Sequence, residues 1–116
     1  MEPYIKINKE DFKNLVKILS NWKGFLTANG RIDLIKDAFD SKEFRKVSRE
    51  VVPEINYDGR PKSVAWITLD TLLTQESRVI KQYLLTFKRK LNPEYRDERE
   101  LREELDTILN KYSITD

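Results

Sequence analysis

Taken as apolar and polar positions, the chain is a string of short helical stripes with one denser stretch near its centre. Residues 63–91 run SVAWITLDTLL, then TQESR, then VIKQYLLTFKRKL, so two apolar-rich segments flank a short polar break. That arrangement predicts an antiparallel helical pair at the heart of a small bundle. Upstream, Phe12, Leu15, Val16, Leu19 and Trp22 recur at helical spacing and predict a first helix over about 9–22. Asn8 suits its N-cap, and Glu10 and Asp11 its first turn, where the helix dipole favours anions. Ile7 and Phe12 stand at the positions of a hydrophobic staple.

After a stop at Gly24, Ile32, Ile35, Ala38 and Phe39 form the inner face of a second helix over about 30–39, capped by Thr27 or Asn29. Ser41 caps a third over about 42–51, with Phe44, Val47 and Val51 inward. Its outer face carries Lys42, Arg45, Lys46 and Arg49, for which a solvated surface is the plain account. Pro53 ends that helix. Residues 53–61 are irregular, with a turn at Asp58-Gly59 and with Ile55 and Tyr57 as anchors to the core. The flanks of NYDG are too short for a good hairpin.

Pro61 suits the first position of a fourth helix, over about 61–74. The β-branched Val64, Ile67 and Thr68 would also suit a strand, but Ala65, Leu69, Leu72 and Leu73 keep helical spacing. Val64 and Ile67 project away from that inner face and are expected to pack under the first helix or the 53–61 loop. A fifth helix, over about 77–91, turns Val79, Ile80, Tyr83, Leu84, Phe87 and Leu91 inward. Asn92-Pro93 separates it from a sixth, over about 94–112, with the stripe Leu101, Leu105, Ile108, Leu109 and Tyr112. Glu98 and Arg102 are spaced for a surface ion pair. The expectation is one domain over residues 1–116, an all-α antiparallel bundle of six helices.

Composition narrows the chemistry. Charged residues make up 36% of the chain, which suits helices with solvated faces, and there is neither Cys nor His. Disulfides, thiolate metal sites, a Cys nucleophile and a His general base are therefore excluded. The three glycines are too scattered for a phosphate-binding loop. Glu98, Glu100, Glu103, Glu104 and Asp106 alternate with Arg99 and Arg102 as on a solvated helix, so no metal, no cofactor and no catalytic residue is expected. The start MEPY lacks a signal-like apolar run and no segment reaches a membrane span, which makes the cytoplasm the expected location.

Charge is unevenly distributed. The net value is +2, but residues 1–91 carry 18 Lys/Arg against 12 Asp/Glu, and residues 92–116 carry 4 against 8. On the fifth helix, Leu85 falls opposite Tyr83 and Phe87, among Arg78, Lys81, Lys88 and Arg89. An apolar residue inside a basic ring fits a partner contact, although one exposed leucine is also ordinary. Glu100, Glu103, Glu104 and Asp106 form the complementary acidic face. A basic body and an acidic last helix suit another copy of the chain, in a heterologous contact. The rival reading is a small nucleic-acid-binding regulator using the basic face, opposed by the acidic helix, which would repel a phosphate backbone.

Several features taken in order resemble the bacterial effector-associated domains, the bacterial Death-like members of the Death-fold superfamily. They are Phe12-x-x-Leu15-Val16-x-x-Leu19 in the first helix, Gly30-Arg31-Ile32-Asp33-Leu34-Ile35-Lys36-Asp37-Ala38 in the second, and Ser63-Val64-Ala65-Trp66-Ile67-x-Leu69 in the fourth. The likeness spans about residues 10–112, and Trp66 departs from the usual Phe-Ala start. The resemblance implies a non-enzymatic adaptor that couples an effector to a partner with a matching domain in bacterial conflict and antiviral signalling. It also implies either a standalone adaptor or the N-terminal domain of a larger protein.

Overall fold

A computed structural model describes residues 4–115 and contains six α-helices among them. They are α1 (Lys9–Asn21), α2 (Ala28–Ala38), α3 (Arg45–Glu50), α4 (Pro61–Leu73), α5 (Ser77–Lys90) and α6 (Arg96–Lys111). Short 3₁₀ turns at Lys23–Phe25, Lys42–Phe44 and Val52–Glu54 join them. The six-helix all-α fold expected from the sequence is present, with no strand among the described residues.

The helix starts follow local chemistry. Asn8 Oδ1 accepts from the Asp11 backbone N–H at 2.8 Å, and Thr27 Oγ1 accepts from that of Gly30 at 3.1 Å, each satisfying a donor with no partner inside its helix. Pro61 sits at the first position of α4, where its missing N–H costs nothing. The third helix differs from expectation. It opens as a 3₁₀ turn, and the Ser41 hydroxyl makes no capping hydrogen bond. Tightening the first turn satisfies the backbone instead, through Phe44 N–H to Ser41 O at 3.1 Å.

In the core, α4 packs between α1 and α5, and α5 also packs on α2. Val64, Ala65, Leu69 and Leu72 are buried, as are Val79, Ile80, Tyr83, Leu84, Phe87 and Leu91. The pair of helices read from residues 63–91 is therefore the centre of the molecule. Phe39 stacks on Tyr83 with ring centroids 6.4 Å apart. The Tyr83 hydroxyl is buried without a hydrogen-bond partner, and that burial pushes its ionisation upward.

The 53–61 loop is held from inside rather than by a hairpin. Ile55 is buried, and the Tyr57 hydroxyl donates to the Val52 carbonyl at 2.6 Å. Burial pushes that hydroxyl up to about 12. Gly59 turns the chain at φ 128°, a conformation that other L-residues adopt only with strain. The main fastener is Arg31, which is 3% exposed. Its Nε donates to Phe25 O at 2.8 Å, and its Nη1 to Tyr57 O at 2.8 Å and Gly59 O at 2.9 Å. Gly30, beside it, is a close approach: a Cβ there would stand 1.8 Å from the Gly24 carbonyl oxygen.

The two ends of the helical body are latched together. Asp11, 5% exposed, accepts from Tyr112 Oη at 2.6 Å and from Lys111 Nζ at 3.0 and 3.2 Å. Tyr112 Oη accepts in turn from the Asn8 N–H at 3.0 Å. The Tyr112 hydrogen bond first, then Lys111, holds the Asp11 carboxyl below its ordinary value.

Candidate interaction surface

The nine residues expected at a partner contact do not form two free, opposed faces. Leu85 is the clearest correction: it is 9% exposed and belongs to the core. Residues 83–87 are all buried, because α5 is a central helix with neighbours on more than one side. A single-stripe reading of helical periodicity places only one face inward, and so it put Leu85 outside.

The cations of α5 are largely engaged within the chain. Arg78 donates through Nε to Glu76 at 3.0 Å and through Nη1 to Glu43 at 3.3 Å, with its guanidinium over the Phe44 ring. Lys88 forms an ion pair with Asp106, and Lys90 forms one with Asp37. The Lys88–Asp106 pair makes the basic and acidic groups neighbours on one molecule. Lys81 is half-buried, and Arg89 is exposed. On α6, Glu100 is exposed and lies 3.4 Å from Arg96, while Glu103 and Glu104 are exposed.

Glu98, expected on the solvated side of α6, is buried instead. Its Oε1 accepts from Trp22 Nε1 at 3.3 Å and from the Asn92 N–H at 3.2 Å, and its Oε2 lies 3.4 Å from Lys23 Nζ. The expected pair with Arg102 is accordingly absent. Arg102 donates to the Leu91 carbonyl at 3.1 Å. Trp22, Lys23 and the Asn92 N–H meet Glu98 in the first turn of α6 and so claim the carboxylate.

The surface that does stand out lies on α4. Val64 is buried as expected, but Ile67 is 45% exposed and Trp66 46%. The two side chains, with Arg60, Lys62 and Ser63, line a shallow depression of about 500 Å³. Phe12 meets the Trp66 ring edge-to-face at 4.5 Å, which fixes its orientation without covering it. Asp70 is exposed one turn further along. The signal was present in the sequence: the β-branched positions of α4 point away from its Ala65/Leu69/Leu72 face. Only the packing shows which of them are covered.

Among the described residues, no group of three or more acidic side chains is placed to hold a metal ion. No helix there is long and apolar enough to cross a membrane. Compared with protein-family models, with curated proteins and with solved structures, the chain finds no match in any of the three.

Proposed function

We propose that this chain is a non-enzymatic protein–protein interaction domain that docks on a matching Death-like domain or on another copy of itself. The supporting observation is the exposed Trp66–Ile67 pair, two large apolar side chains at nearly half exposure and adjacent on one helix, whereas Tyr4, Leu26 and Tyr95 are exposed singly. Arg60 and Lys62 beside them give the patch a basic rim suited to an acidic partner face. The exposed Glu100, Glu103 and Glu104 of α6 are one such face in a second copy. The finer reading, an adaptor that couples an effector to its partner in bacterial conflict signalling, rests on the family resemblance. A nucleic-acid role for α5 has less support, since Arg78, Lys88 and Lys90 already face carboxylates.

Light scattering at low and high salt, with capture of a cognate domain, tests the proposal. Association should weaken with salt, and Ile67→Glu should reduce it by about tenfold or more while leaving the urea midpoint unchanged. A strict monomer at high concentration in low salt that also binds no cognate domain would sink it.

A further inference from the structure

A second surface, sharing no lining residue with that patch, carries a different chemistry. Lys36 in the last turn of α2 and Lys42, Arg45 and Arg49 of the following segment line one depression of about 310 Å³. Asp40 is the carboxylate among its lining residues, so four cations face one acid. Some other surface cations are paired, as Lys88 is with Asp106 and Lys90 with Asp37. Among the described residues, these four cations make no ion pair and no hydrogen bond.

Two further features mark the depression as more than a solvated face. Arg45 and Arg49 stand one turn apart on the same side of a short helix, where like charges repel, and Asp40 is the one carboxylate in the lining with them. The Ser41 hydroxyl, also in the lining, is left without the capping bond its position would allow. Guanidinium groups present planar paired donors that match phosphate oxygens, and the hydroxyl adds a neutral donor. The volume lies at the small end of ordinary ligand pockets.

We infer that this depression binds a compact ligand carrying several phosphate groups. Four cations against one carboxylate leave an excess of positive charge that an anion with several charged groups matches more fully than a single carboxylate or sulfate does. Long side chains spread over the end of α2, the Lys42–Phe44 turn and α3 suit a short chain of phosphates better than one point charge. The site is separate from the α4 patch and stands whether or not that patch docks a protein.

Titration calorimetry with tripolyphosphate, against orthophosphate and sulfate at the same ionic strength, tests it. The expected result is one site, about tenfold or more tighter for tripolyphosphate than for either single-centre oxyanion. Arg45→Gln/Arg49→Gln should weaken tripolyphosphate by about tenfold or more, with Lys36→Gln/Lys42→Gln as the second pair should the first alter the helical circular dichroism. The control pair Lys9→Gln/Lys13→Gln removes the same charge from the exposed side of α1 and should leave binding within about twofold. Absence of tripolyphosphate binding, or an equal loss in the control pair, overturns the inference. So does oligonucleotide binding that strengthens with strand length and is not displaced by tripolyphosphate, since that describes a backbone-tracking surface.

Discussion

Arg31 holds Gly59 by a 2.9 Å hydrogen bond from its Nη1 to the glycine's carbonyl oxygen, across 28 residues of chain. The same guanidinium serves Tyr57 and Phe25, so one buried cation organises the start of α2, the turn before it and the 53–61 loop. Its partners are all carbonyl oxygens, and its plane lies over the Phe25 ring at 5.3 Å. Such a cation stays buried because its Nε and both Nη1 hydrogens find close acceptors, with Nη2 reaching the Leu26 carbonyl at 3.5 Å.

Replacing it should therefore be costly. Arg31→Met leaves several inward carbonyls without donors and should lower stability by about 3 kcal/mol. Arg31→Lys should rescue little, because one ammonium cannot span the same fork. Urea unfolding measures both, and a loss below about 1 kcal/mol for Arg31→Met would contradict the clamp.

Leu85 should behave as a core residue. Leu85→Ala is expected to cost about 2–3 kcal/mol of stability, the usual range for a buried leucine. The folded fraction should associate as the unmodified chain does. The opposite pattern, intact stability with lost association, would place Leu85 at the interface after all.

Lys88 and Asp106 join α5 to α6 at the surface, with side chains 24% and 39% exposed. Partial screening by solvent limits the worth of such a pair. Lys88→Glu should destabilise by about 0.5–1 kcal/mol, and the swapped double variant Lys88→Glu/Asp106→Lys should recover most of that. Strict additivity in this cycle would show that the pair contributes nothing.

Acid should release the latch between α1 and α6. The Asp11 carboxyl titrates below its ordinary value of 3.8 in the folded chain, chiefly through the Tyr112 hydroxyl and then Lys111. Its contribution is thus fully present above that value and is lost as pH falls through the lower, folded-state one. Melting temperature should drop below about pH 4 in the unmodified chain, and Asp11→Asn should flatten that part of the profile. An unchanged acid limb in Asp11→Asn would exclude this carboxylate as its source.

Much of the helical layout is decided locally. Asn8, Thr27 and Pro61 each mark a helix start that the chain adopts, the stripes of α1 and α5 bury as their spacing requires, and in α6 Leu105, Ile108 and Leu109 are buried while Leu101 and Tyr112 are partly so. Apolar residues three and four apart share one face of any α-helix, so that information is carried by neighbours in the chain. The fates of Leu85, Glu98, Arg31 and Ile67 are not carried in that way. Leu85 is covered because α5 has neighbours on several sides, and Glu98 is buried because Trp22 and the Asn92 N–H meet it there. Arg31 needs carbonyls from a loop 28 residues away, and Ile67 stays 45% exposed although it shares a helix with the buried Val64 and Leu69. Periodicity sorts residues into faces; which face receives a second or third neighbour is set by contacts distant in sequence, and those exist only once the bundle has closed.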